Sequence, residues 1–174
     1  MPFQSTVANQ QGFGVPGEMF TNSPHIAQTF TLVSASAAYN IIGATCCTVT
    51  SQGFCEAGSG GGDFAGFLVN PKVYPLLGTT GNTLAPSLVL PNEGIAELLT
   101  MGTIIVTLPA NANIGDLVVY DDTTGAIATI APAAALPVGK KFANAIVKYI
   151  TANAGTAQLA VVQVNPTYVI PQLA

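Results

Sequence analysis

The sequence predicts an all-β fold, a sandwich or barrel assembled from many short strands. Three observations carry that expectation. Short runs of β-branched and apolar residues recur between Gly, Pro, Asn and Asp turn signals along the chain. The runs Leu117 to Tyr120 and Ile127 to Ile130 are joined by Asp121-Asp122-Thr123-Thr124-Gly125, which supplies the side-chain acceptors and the positive-φ residue of a hairpin. No segment holds a helical period long enough for a helix of ordinary length.

Taken in order, residues 1–28 contain Gly12, Gly14, Pro16, Gly17 and Pro24 among scattered Phe3, Phe13 and Phe20, with neither strand nor helical period. They read as an extended N-terminal arm. Strand patterns then begin at Thr29 with Phe30, Leu32 and Val33, and continue through Tyr39 to Ile42 and Thr45 to Thr50. Ala57 to Asp63 is a glycine-rich loop, and Phe64 to Val69 an apolar strand stopped by Asn70-Pro71. Gly78 to Pro91 reads mostly as loop. Asn92 to Met101 stays open between helix and strand, since Ile95, Leu98 and Leu99 have helical spacing over a short span bracketed by Gly94 and Gly102. Thr103 to Leu108 is strand.

The run Leu117 to Tyr120 lacks polar alternation, so both of its faces want cover, from the chain's own core or from a neighbouring molecule. Ala131 to Gly139 is an apolar, irregular connection, and the Lys140-Lys141 pair that follows reads as a solvated turn. Ala143 to Ile150 and Leu159 to Val164 form a closing strand pair. Residues 165–174, with two prolines and no charge, read as an extended C-terminal tail, which leaves 29–164 as the β domain.

Charge restricts the possible functions. Four Lys, no Arg and eight acidic residues make 7% charged, against about 25% for an ordinary soluble domain. With 49% hydrophobic residues, such a neutral surface is poorly protected against association and suits a subunit docked on others. Nucleic acid is disfavoured, because Lys72, Lys140, Lys141 and Lys148 are the whole cation supply. A membrane is disfavoured too, since no apolar run approaches the roughly 20 residues of a transmembrane helix. Met1 to Thr6 lacks the basic and apolar regions of an export signal.

Catalysis finds no constellation. The single His25 follows Pro24 in the irregular segment, so a Cys-His pair is only formally available and an enzyme is not expected. The adjacent Cys46 and Cys47 splay to opposite faces of a strand, no Cys-x-x-Cys occurs, and reduced thiols are expected, although Cys55 is within reach of one of them across a hairpin. Asp116, Asp121 and Asp122 lack the spacing of a calcium loop and read as turn chemistry, and Gly58-Ser59-Gly60-Gly61-Gly62 lacks the lysine of a phosphate loop. Neither a metal nor a cofactor is expected.

As a set, several segments resemble the capsid cement, or decoration, proteins of tailed bacteriophages. They are Gly12-Phe13-Gly14-Val15-Pro16-Gly17-Glu18, Phe64-Ala65-Gly66-Phe67-Leu68-Val69, Leu99-Thr100-Met101-Gly102-Thr103-Ile104-Ile105-Val106, the hairpin from Gly115 to Ile127, and Leu159-Ala160-Val161-Val162-Gln163-Val164. The resemblance spans nearly the whole chain. It implies a jelly-roll-like β-sandwich or barrel, assembled as a homodimer or homotrimer on the exterior of an icosahedral head and holding neighbouring major capsid protein capsomers together, after synthesis in the host cytoplasm. Phe3, Phe13, Val15, Pro16, Phe20, Tyr168 and Ile170 are the expected interface residues. Two other classes fit the composition: a secreted or surface-lattice β-domain of adhesin type, and an intracellular ligand-binding β-barrel.

Overall fold

The computed structural model describes residues 14–20, 24–58, 62–71, 89–109, 111–150 and 158–164. Nine strands follow one another: β1 Ile26–Leu32, β2 Cys46–Ser51, β3 Phe54–Ala57, β4 Asp63–Leu68, β5 Ile95–Leu108, β6 Leu117–Asp121, β7 Ile127–Ile130, β8 Lys140–Ile150 and β9 Gln158–Val164. They hydrogen-bond in the order β1-β3-β2-β4-β5-β9-β8-β6-β7, and β1 also pairs with β5. That extra pairing closes β1, β3, β2, β4 and the first half of β5 into a small barrel, with β1 and β3 parallel and the other neighbours antiparallel. Closure removes free strand edges there.

The fourteen-residue β5 serves two bodies. Its first half carries β1 and β4, and its second half pairs with β9 from Gly102 opposite Val164 to Leu108 opposite Gln158. Strand period two explains how one chain feeds two cores. Ala96 and Leu98 face the barrel interior with Leu32, Cys47, Cys55 and Leu68, whereas Leu99, Ile104 and Val106 join Phe67, Val118, Tyr120 and Val162 in the second core. Cys46 and Cys47 divide the same way, one thiol to each core, both free and fully buried. Each large side chain so buried contributes roughly 1.5–3 kcal/mol.

The second sheet is drawn back to the barrel by residues 43–46. Cys46 N–H donates to Gly125 O (2.9 Å), Thr45 bridges Ala126, and Thr107 N–H donates to Gly43 O (2.8 Å). The segment after Gly14 lies along β5: Gly17 N–H donates to Ile105 O, Ile105 N–H to Glu18 O and Phe20 N–H to Thr103 O. β1 begins at Ile26, inside the stretch read as an arm.

Several expectations change. Asn92 to Met101 resolves as turn and strand, because Ala96 and Leu98 alternate with exposed Ile95 and Glu97. Tyr39 to Ile42 is not a strand: a 3-10 turn, Ala37–Tyr39, capped by Ser36, leads into buried Asn40. Asn40 Nδ2 donates to Leu90 O (3.0 Å) and Asn92 Oδ1 (2.9 Å), while Ser34 Oγ donates to Asn40 Oδ1 (2.5 Å). Side-chain bonding of this kind diverts the backbone from a ladder. Lys140 and Lys141 are not a solvated turn, because they open β8 and pair with Asp121 (3.2 Å) and Asp122 (2.9 Å). Finally, Val118 and Tyr120 are buried by the chain's own residues, so neither face of β6 waits for a neighbouring subunit.

Candidate functional site

Among the described residues, the chemistry-bearing side chains do not assemble. His25 is exposed just before β1, while the three thiols sit inside the cores. Burial holds the Cys46 thiol well above its ordinary range; for Cys47, the hydrogen bond with the Cys55 side chain and then burial do the same, so neither is a ready nucleophile. Burial also raises the Tyr120 hydroxyl, whose ring packs near Phe64. Among the described residues, no three His, Cys, Asp or Glu side chains gather as a metal site.

The hairpin residues work as a clasp. Asp121 Oδ1 accepts from Thr123 N–H (3.0 Å), Thr124 N–H (3.0 Å) and Thr124 Oγ1 (3.1 Å). Desolvation pushes the Asp121 carboxyl upward, but Lys140 and these donors outweigh it and hold the group below its ordinary value. The turn then presses on the glycine-rich loop backbone to backbone. A Cβ at Gly58, whose φ is 71°, would lie 2.5 Å from the Thr123 carbonyl carbon. Thr48 Oγ1 donates to Gly58 O (2.7 Å) from the barrel side. Asp121, Asp122, Thr123, Thr124 and Gly125 thus join the two bodies.

Among the described residues, exposed apolar side chains include two groups held by neighbouring structure. The first is the connection from Ala131 to Gly139, where every side chain is Ala, Pro, Leu or Val and all but Ala134 are exposed. Leu136 is 39% exposed and Val138 fully so. Its form is held locally: Ala134 N–H donates to Ala131 O (2.9 Å), Lys140 N–H to Pro137 O (3.1 Å) and Asp122 N–H to Gly139 O (2.9 Å), with the two Lys-Asp pairs at its base. Pro132 and Pro137 further restrict the backbone. An exposed, prearranged apolar loop is a contact surface in waiting.

The second place lies on the barrel wall. Thr31 of β1 is opposite Phe54 of β3 on one side and Ile95 of β5 on the other, and those two side chains are 43% and 59% exposed. Val33, the next residue of that parity beyond the end of β1, is also exposed. Ile95 could have been found from sequence, because it shares strand parity with Glu97, and Phe54 likewise with Glu56. The signal for Leu136 and Val138 was the absence of any polar side chain across a connection between strands.

Of the expected interface residues, Val15 is 49% exposed, while Pro16 and Phe20 are half-buried against the body. Phe3, Phe13, Tyr168 and Ile170 lie outside the described residues.

No curated protein matches the sequence. A solved chain from "The capsid of Myoviridae Phage XM1" is similar in structure, with a TM-score of 0.60 at 18% identity over 95% of this chain and 99% of that one, which shows a shared fold. Residues 3–165 match the phage cement family, described as structural cement protein (E217 gp24/Pam3 gp6). The chain belongs to the family of phage structural cement proteins, and its role is a structural one in the capsid.

Proposed function

We propose that this protein binds the outer surface of an icosahedral phage head and ties neighbouring major capsid protein capsomers together, acting through contact alone. The observation that carries this reading is the loop from Ala131 to Gly139, which displays Leu136 and Val138 on a base pinned by Asp121-Lys140 and Asp122-Lys141. A contact burying about 300 Å² of apolar surface gains several kcal/mol at roughly 25 cal/mol per Å² before ordering costs, and the prearranged loop keeps those costs low. Repetition over a shell multiplies weak contacts into firm attachment. The scarcity of charge fits an apolar, uncharged seat and gives little purchase on nucleic acid.

The test is occupancy on purified expanded heads, measured by cryo-electron microscopy or by gel densitometry of pelleted particles. Leu136→Asp with Val138→Asp should reduce occupancy at least tenfold at limiting protein while leaving the β circular dichroism signature and Tm unchanged. Full occupancy by that variant would refute the loop as the docking element. The N-terminal contribution is tested by removing residues 1–13; a cut through Gly17 would also strip the hydrogen bonds that Gly17 makes with Ile105 and Asn70.

A further inference from the structure

Charge divides unevenly between the two bodies. Among the described residues, the barrel and the turn leading into β5 carry Glu56, Asp63, Glu93 and Glu97 and no lysine, whereas the second sheet sets Asp116, Asp121 and Asp122 against Lys140, Lys141 and Lys148. Lys140 and Lys141 are taken up by Asp121 and Asp122. Lys148 is exposed and meets no carboxylate among the described residues.

The acidic side chains frame the apolar barrel wall. Phe54 and Glu56 share a parity on β3, and Ile95 and Glu97 share one on β5, with Thr31 between Phe54 and Ile95 and with Thr29 opposite Glu97. Glu93 is exposed at the turn before Ile95, where its N–H donates to Leu32 O. Lys148 has the opposite setting. It is the extra residue of a bulge between Val147 and Tyr149 where β8 pairs with β9. Val147 O accepts from Gly115 N–H (2.9 Å), which brings Ile114 alongside, and Ile114 and Tyr149 are both more than half exposed. We propose that the barrel wall receives the surface of Ile114, Lys148 and Tyr149 of a second copy of the chain, with Lys148 set against Glu97 and the apolar side chains laid on Phe54 and Ile95.

Charge complementarity selects this occupant. The wall offers exposed apolar side chains rimmed by carboxylates with no described cation beside them, and the chain itself carries the complement, exposed apolar side chains around a lysine with no described carboxylate beside it. Aromatic anchors with a charged rim are the make-up of a specific interface. A wall-to-wall contact would instead press Glu97 towards Glu97, which like charge opposes. The two surfaces therefore meet head to tail, an arrangement that closes into a ring where its rotation divides a full turn and otherwise runs on as a chain of copies. Neither Leu136 nor Val138 takes part, so this contact does not depend on attachment to a shell.

Sedimentation equilibrium and native mass spectrometry test the contact on the full chain. The unaltered protein should associate at micromolar concentration, and Glu97→Lys and Lys148→Glu should each raise the dissociation constant at least tenfold. The variant carrying both changes should recover to within about threefold, because the pair is restored with its signs exchanged. Ile95→Ser, which spoils the wall, and Tyr149→Ser, which spoils the other surface, should each be monomeric alone, while their equal mixture should form dimers that grow no further, the signature of a head-to-tail contact. A readout without substitution is carbodiimide coupling of an equal mixture of nitrogen-14 and nitrogen-15 copies, in which the peptides joining Lys148 to Glu97 should include pairs with one light and one heavy arm. A full chain that stays monomeric would overturn the proposal, as would a doubly exchanged variant no better than either single one, or a mixture of Ile95→Ser and Tyr149→Ser that stays monomeric. Joined peptides that are only all-light or all-heavy would place both groups on one copy and overturn the assignment to a second. Loss of head binding in Ile95→Ser with solution association unchanged would give the wall to the shell and overturn it too.

Discussion

Replacing Asn40 by alanine tests a long-range feature of the fold. Asn40 is fully buried, and its carboxamide holds three stretches together: Ser34 through Oδ1, and Leu90 and Asn92 through Nδ2. Asn92 Nδ2 returns a bond to Ser34 O (2.6 Å), and Ser34 Oγ accepts from Ala57 N–H (2.8 Å), so β3 is tied in as well. Asn40→Ala removes three side-chain hydrogen bonds and strands buried partners, at about 1 kcal/mol each, or about 3 kcal/mol together. For a chain of this size each kcal/mol moves Tm by roughly 2–4 °C, so differential scanning calorimetry should show a drop of about 6–12 °C. Ser34→Ala, which loses one bond each way, should cost about 2 kcal/mol, and the double variant should cost less than the sum because the two share a bond. A Tm loss under about 2 °C for Asn40→Ala would show that the network does not brace the barrel, and the reasoning would fail.

Two further outcomes follow from the clasp. Gly58→Ala places a Cβ 2.5 Å from the Thr123 carbonyl carbon at a φ of 71°, so urea midpoints should report a loss well above the roughly 1 kcal/mol of an ordinary Gly-to-Ala conflict; an unchanged midpoint would mean that the hairpin does not press on this loop. Asp121 has a folded pKa held below its unfolded value, near 3.9, despite the upward push of desolvation. Its contribution is therefore fully present above that unfolded value and is lost as pH falls through the lower folded one. Asp121→Asn should cost no more than about 1 kcal/mol near neutrality, as a partly exposed pair does, and the Tm gap between the two proteins should close below about pH 4. A gap that persists to pH 2.5 would remove the carboxylate from the account.

Strand content and the division of the thiols were legible because they depend on local rules. Period-two alternation places Cys46 and Cys47 on opposite faces whatever lies beyond, and a charge-poor sequence with turn signals between apolar runs reads as β without knowledge of pairing. Asp121 as acceptor for its own loop amides is likewise local. The exposed apolar surface was only half legible: the parity of Ile95 with Glu97 was there to be read, but exposure of Leu136 and Val138 requires knowing that no described residue folds over them.

By itself, then, the sequence determined an all-β chain, its hairpin, its neutral surface and a resemblance to phage cement proteins that the family match bears out. Tertiary structure decided which partner covers each face. The strand Leu117–Asp121 demanded cover on both sides, and only the burial of Val118, Val119 and Tyr120 within the folded chain shows that the chain supplies it. The same holds for β1 closing on β5 and for Asn40 joining Ser34 to Asn92. Those outcomes depend on contacts between residues far apart in sequence, whose loop-closure cost and packing gain are properties of the whole arrangement and leave no local trace.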